Sequence, residues 1–467
     1  MSEGSSSAKE LKEKLFYQPT HAAQRMNAEE IAEADSFCEG YMRFLDAAKT
    51  EREAVNEALA LAKANGFRRY EPGAYYPPGS KIYCENRGKA LILAVTGTLG
   101  LSQGARITAS HIDSPRLDLK PNPLYEDGGL ALLKTHYYGG IKKYQWTAIP
   151  LALHGVMLRR DGSSVTVNIG EDPGDPKFVI SDLLIHLSAE QMKKPLSEGV
   201  GAEDLNVLVG SRPFDKSDEA QNVKLNVLHI LYEKYGVTEE DFLSAELEVV
   251  PAAKADDIGF DRSMIGAYGH DDRVCAYTAL MALLDAEEPE YTAVCVLADK
   301  EETGSQGNTG MDSAFLANFI SDLAESEGLK GRSVLSMSEA LSTDVNSAYD
   351  PTYWKSFEKN NSSYLNRGVV LKKYTGSRGK SAASDARAEL VGKLRRLLND
   401  AGIHWQMGEI GRVDLGGGGT VAKYIAALDV DVVDMCVPIL SMHAPYEVAA
   451  KLDVFAAYRA VLAFYES

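Results

Sequence analysis

The stretch VLADKEETGSQG, Val296 to Gly307, ends an apolar run at two adjacent carboxylates, Glu301 and Glu302. In a loop such a pair can diverge, one side chain toward a metal ion and the other toward a water. That division suits one ligand and one general base. A solvated acidic turn is the plain alternative. Four further stretches set metal-binding side-chain types at the ends of apolar runs. ITASHIDSP carries His111 and Asp113, an imidazole with a carboxylate close enough in sequence to orient it; Asp113 can equally cap an Asx-type bend. GAYGHDDRV offers Asp271 and Asp272 before a helical pattern, with room for one N-cap and one ligand, and His270 reads as a loop residue. LSTDVNSAYDP puts Asp344 a few residues after SVLSMS, as a ligand or a cap. CVPILSMHAPYEV puts His443 past an apolar run, as a ligand or a half-buried histidine.

Each stretch alone is weak, but their sum has a chemistry. Two imidazoles, terminal carboxylates and one carboxylate able to bridge are what two neighbouring zinc ions require. Imidazole and carboxylate without thiolate suit Zn²⁺, Mn²⁺ or Co²⁺ rather than a structural cysteine site.

These residues need a scaffold that gathers strand ends. KALILAVTG (89–97) and ARITASHID (105–113) read as strands, and residues 27–66 as one long helical region capped by Asn27 and stopped at Gly66. After Pro251 strands and helices alternate. RVCAYTALMALLDA reads as an amphipathic helix, TAVCVLA as a buried strand, DSAFLANFISDLAES as a helix and SVLSMS as a strand. DARAELVGKLRRLLNDAG and GTVAKYIAALD read as helices, VVDMCVPIL as a strand and KLDVFAAYRAVLAFYES as a closing helix. The expectation is an α/β fold: a central mixed, largely parallel sheet flanked by helices, with ligands beyond the carboxyl ends of its strands. Between Ser114 and Val250 the texture changes to prolines, glycines and short strands such as LALHGVMLRR and SSVTVNIG, then a helix near 218–235. This reads as an inserted β-rich domain. The parts are then 1–113 and 251–467 for the domain carrying the chemistry, and 114–250 for the insertion.

A chain of 467 residues with 45% hydrophobic content can bury a large core. A net charge of −18 argues against nucleic acid or an anionic membrane as partner. No apolar run is long enough to span a bilayer, and the opening MSEGSSSAKE has no apolar signal core, so the cytoplasm is the expected location. The five cysteines stand singly, without a CxxC pair, and read as free thiols.

SHIDSPRLDLKP, HDDRVCAYTAL, DKEETGS, STDVNSAYDP and SMHAPYEV, in this order and over nearly the whole chain, resemble the aspartyl-aminopeptidase family of dinuclear-zinc metallopeptidases. HDDR also resembles the related tetrahedral aminopeptidases. The resemblance implies that His111, Asp271, Glu302, Asp344 and His443 bind two metal ions, with Asp271 bridging. His111 and Asp344 would serve one ion, Glu302 and His443 the other. Glu301 would be the general base and Asp113 the residue that orients His111. ISDLLIHLS resembles a segment whose histidine, here His186, enters a neighbouring subunit's site. VVLKKYTG resembles a stretch with a substrate-side lysine, here Lys372, and LGGGGTVAKY a pocket-lining turn with Gly418, Gly419 and Thr420. The glycine run is no phosphate loop, since no Gly-Lys-Ser/Thr follows.

The implied activity is removal of the N-terminal residue from short peptides, with acidic residues preferred. Two divalent ions per subunit are implied, zinc first, with manganese or cobalt as alternatives. The implied assembly is a tetrahedral homododecamer built from dimers through the inserted domain. The competing readings are another dinuclear-metal exopeptidase or deacylase on this scaffold, and a non-catalytic self-assembling shell protein.

Overall fold

The computed structural model describes residues 7–17 and 20–467; residues 1–6, on which much of the N-terminal reading rests, lie outside them. A twelve-stranded mixed sheet organises the larger part of the chain. Its centre is four parallel strands: Thr292–Ala298, Ala105–His111, Glu339–Ser347 and Asp431–Leu440. Antiparallel strands flank them, Ala90–Val95 on one side and Glu447–Ala450 on the other. Successive residues of one strand face opposite sides, and here they feed two separate cores. Leu91 and Leu93 join the core containing the helix His270–Asp285, while Ile92 and Ala94 join that of Phe315–Ser326. Burial on both faces explains the apolar runs of Ala90–Val95 and Thr292–Ala298. Because the four strands run the same way, their carboxyl ends open at one edge, and His111 pairs directly with Ala298, just ahead of the glutamate pair.

Residues 116–251 build a second sheet, seven-stranded and antiparallel throughout. It has its own core around Leu117, Trp146, Leu151 and Phe242, backed by the helix Asn222–Tyr235. A buried ionic cluster joins the two sheets. Glu51, with no exposed side chain, takes Lys89 at 2.8 Å and Arg116 at 3.1 Å, and Arg116 also reaches Glu248 at 3.2 Å.

Several expectations need correction. The helical region 27–66 is two helices, Ala28–Ala47 and Glu51–Ala64, because Thr50 opens a second capping box with Glu53 just as Asn27 does with Glu30. SVLSMS is not a strand: Gly331–Ser336 is helical, and the strand is the polar-looking Glu339–Ser347 that contains Asp344 itself. Its hydroxyls hide it, since Thr343 bonds Ser110 at 2.6 Å inside the sheet. RVCAYTALMALLDA is buried on every side rather than amphipathic. GTVAKYIAALD yields only the short helix Ala422–Ala426. All five cysteines are free, four of them buried. Among the described residues no helix is long and apolar enough to cross a membrane.

Candidate metal centre

At the carboxyl edge of the parallel strands lies a cleft of about 360 Å³ lined by His111, Asp271, Glu301, Glu302, Asp344 and His443. Asp271 sits at its centre. Its Oδ1 is 3.1 Å from His111 Nε2 and its Oδ2 is 3.1 Å from His443 Nε2, so one carboxylate spans two imidazoles. His111 Nε2 also lies 3.7 Å from Asp344 Oδ1, and His443 Nε2 lies 3.4 Å from Glu302 Oε1. Two sets of ligand atoms converge within 4.8 Å: His111 with Asp272 and Asp344, and His111 with Asp271 and Glu302.

The backbone around these ligands is pinned by two buried carboxylates. Asp113 accepts the backbone N–H of Glu301 and of Glu302, each at 3.1 Å, and the Tyr138 hydroxyl at 2.8 Å. Glu447 does the same on the other side, accepting from His443 N at 2.6 Å and from Asp271 N at 3.1 Å. Asp113 also faces His111: its carbonyl oxygen accepts from His111 Nδ1 at 3.0 Å, and its carboxylate, which holds the glutamate turn, lies 3.4 Å from the same nitrogen. The Nδ1 of His443 donates to Gly140 O at 2.9 Å. Each ring thus has one nitrogen committed to a carbonyl and presents Nε2 to the cleft.

The electrostatics are lopsided. Burial pushes the Glu301 carboxyl up to about 8, with Asp344, Asp113 and Asp271 adding to the rise. Burial likewise drives Glu302 and Asp272 well above the carboxylate range, reinforced by the neighbouring carboxylates. For His443 burial favours the neutral ring, but Asp271 and Glu302 outweigh it and raise the ring to about 11. Glu302 Oε1 and both oxygens of Asp272 are buried with no hydrogen-bond partner. Unpaired buried carboxylate oxygens are costly, and a set of this composition fits divalent cations. Asp272, allowed by sequence as a cap, makes no cap contact.

Other expected residues divide. Lys372, Gly418, Gly419 and Thr420 line the same cleft. Lys372 is buried and donates to Val345 O at 3.1 Å, whereas Lys373 points to solvent. A Cβ on Gly418 or Gly419 would meet nothing within 4 Å, so the turn leaves open space there. The Thr420 hydroxyl turns away to Asp434 at 2.6 Å. His186 is not at this cleft; it lies in an exposed irregular segment with Leu183, Leu184, Ile185 and Leu187. His270 is a buried core residue between the Tyr41 hydroxyl (2.7 Å) and Ile265 O (3.1 Å). Sequence reading missed Glu447, Tyr138 and Gly140. Glu447, four residues beyond His443 in the quoted motif, was the one with a visible signal.

The family model described as aminopeptidase I zinc metalloprotease (M18) matches residues 44–465. The chain belongs to the M18 family of aminopeptidases. It is 47% identical to a probable M18 family aminopeptidase 1 of Clostridium acetobutylicum, over 94% of this chain and 97% of that one. The crystal structure of an M18 aminopeptidase from Thermotoga maritima superposes with a TM-score of 0.92 at 44% identity, covering 97% of this chain and 100% of that one. A structure of the Saccharomyces cerevisiae mApe1 dodecamer shares the fold at 20% identity, with a TM-score of 0.75 over 93% of this chain and 97% of that one. The M18 chain is accordingly a zinc metallo-aminopeptidase, a hydrolase.

Proposed function

We propose that this aminopeptidase uses two divalent cations, zinc before manganese or cobalt, held in the cleft around Asp271. His111 and Asp344 face one cation, His443 and Glu302 the other, and Asp271 is shared. The observation that carries this is Asp271 itself, with its two oxygens each 3.1 Å from a different imidazole. When bound, such a pair lowers the pKa of a water and polarises the scissile carbonyl. The rest falls to the chain's own residues. Glu301, at the cleft wall and free of any ligand-like contact to either imidazole, takes the proton from the attacking water and returns it to the leaving amine. Asp113 keeps Glu301 and Glu302 pointing in their separate directions through their backbone amides. The cluster of carboxylates also gives the free amine of a peptide N-terminus a negative surface to meet.

Preference for an acidic N-terminal residue is the finer part of the reading. Lys372 and Lys423 line the cleft, and Arg378 and Lys380 line an adjoining cavity of about 310 Å³ that shares Lys372, Gly417 and Gly418. The segment 114–250 serves as dimerisation domain, with the assembly a dodecamer like that of the yeast relative, and His186 reaches a neighbouring subunit's cleft. The exposed apolar side chains flanking His186 support that role: Ile185 is 69% and Leu187 68% exposed in the single chain.

The test is zinc-reconstituted enzyme against a panel of aminoacyl substrates, with Glu301→Gln alongside. Cleavage fastest at N-terminal Asp or Glu, lost in the variant while zinc is kept, is the expected outcome. Equal turnover in Glu301→Gln sinks the mechanism. Fastest cleavage of apolar residues sinks only the acidic preference.

A further inference from the structure

The second sheet meets the metal centre of its own chain where one of its strands ends. Its strand Leu130–Tyr138 runs into Gly139 and Gly140, and each residue of this turn meets a different part of the site. The Tyr138 hydroxyl donates to Asp113 Oδ2 at 2.8 Å. The Gly140 carbonyl accepts from His443 Nδ1 at 2.9 Å. Gly139 has φ +73°, and a Cβ there would lie 3.2 Å from Glu302 Cβ and 3.3 Å from its Oε2. Behind the turn, the Arg116 guanidinium packs over the Tyr138 ring at 4.0 Å and is itself anchored on buried Glu51 and Glu248.

We propose that the turn Tyr138–Gly140 is a positioning element of the metal centre, so that the inserted domain completes the site of the chain that carries it. The inference rests on the roles given above to Glu301, Glu302 and His443. His111 is walled in by protein, but the His443 side chain is 34% exposed. Packing alone does not fix such a ring, and the Gly140 carbonyl supplies the fixed direction. Asp113 is fully buried and shares its two oxygens among three donors. Without the Tyr138 hydroxyl, Oδ2 keeps only the Glu302 amide. The carboxylate is then free to rotate toward His111 Nδ1, 3.4 Å away, and to carry the Glu301–Glu302 turn with it. Glycine at 139 is needed twice, for its left-handed backbone and for the close approach to Glu302.

The experiment uses the full chain, with Tyr138→Phe, Gly139→Ala and, as control, Tyr137→Phe on the neighbouring exposed ring. Turnover, zinc affinity by competition with a fluorescent chelator, and the Tm of the zinc-free chain are measured for each. Tyr138→Phe is expected to lower kcat by about 10- to 100-fold with KM nearly unchanged, and excess zinc should not restore it. Gly139→Ala is expected to weaken zinc binding by about 10- to 100-fold, with turnover returning at excess zinc. Tyr137→Phe should do neither. The inference is overturned if both site variants keep kcat and zinc affinity within about twofold of wild type, whether or not their Tm falls. Should Gly139→Ala not fold, Tyr138→Phe, which removes a single oxygen, decides alone. With Glu301→Gln inactive, that negative result leaves the proposed function standing; with Glu301→Gln active, the site reading fails first and this inference with it.

Discussion

Two buried clusters of carboxylates lie within the larger fold, and they are built on opposite plans. At the junction between the sheets, Glu51 and Glu248 meet Arg116 and Lys89 at ion-pair distances. Burial alone would raise the Glu51 carboxyl, but Arg116 and Lys89 outweigh it and hold it well below the usual range. At the metal centre the ion-pair partners of Asp271, Glu302 and Asp344 among the described residues are the imidazoles of His111 and His443, and Asp272 has none. In the first cluster each glutamate has a lysine or arginine of the chain beside it. The second sets four carboxylates against two imidazoles. The second cluster stood out in the sequence and the first did not; what separates a structural cluster from a metal site here is whether the chain supplies its own lysine or arginine.

The comparison breaks most readily at the junction. Glu51→Gln leaves Arg116 and Lys89 buried without their shared partner and should destabilise the chain by about 3–5 kcal/mol in denaturant unfolding. Zinc affinity, measured on the folded fraction, should hold. At the metal centre the backbone clamp is the sensitive point. Glu447→Gln keeps the shape but loses one of two acceptors, for the amides of Asp271 and His443. Zinc affinity should fall about 10- to 100-fold in chelator competition, with far less loss of stability than Glu51→Gln causes.

A smaller effect sharpens the contrast. The carboxylates hold His443 protonated up to about 11, and a cation can bind Nε2 only by displacing that proton. Zinc binding should therefore release protons near neutral pH, seen as a calorimetric heat that changes with the ionisation enthalpy of the buffer. No such heat is expected on folding the junction. Smallest of all is Asp434, beneath the glycine turn, whose carboxyl burial raises to about 6. Its folded value lies above its unfolded one of about 3.9. The stability it contributes is therefore full below pH 4 and is lost as pH rises through 6. Asp434→Asn should flatten the Tm profile across that window, because the amide oxygen still accepts the Thr420 hydroxyl.

Much of this was legible in the chain. The apolar runs 90–95 and 292–298 are buried on both faces, as their composition indicates, and 105–111 shows itself by alternating small or apolar with polar residues. His111, Glu302 and His443 were visible because each ends or closely follows a strand, whereas Asp344 lies inside one. Glu339–Ser347 was not legible as a strand, since Ser342, Thr343 and Asp344 look like a loop until their partners in neighbouring strands are known. Tyr138 and Gly140 were invisible for another reason. Their contacts to Asp113 and His443 join segments 25 and 303 residues apart, across two domains, and no local pattern encodes such a meeting. The carbonyl of Gly140 has no side-chain signature at all.

The acidic surplus around Asp271 is one that bound cations would match. Titrating the zinc-free chain with zinc, for wild type and Asp271→Asn, tests it most directly, reading Tm and stoichiometry together. Wild type should rise in Tm and bind two zinc ions tightly. Asp271→Asn, which removes the carboxylate that both imidazoles face, should lose tight binding of both ions and the rise in Tm that zinc brings. A variant that still holds two zinc ions as tightly as wild type, and gains as much Tm from them, would overturn it.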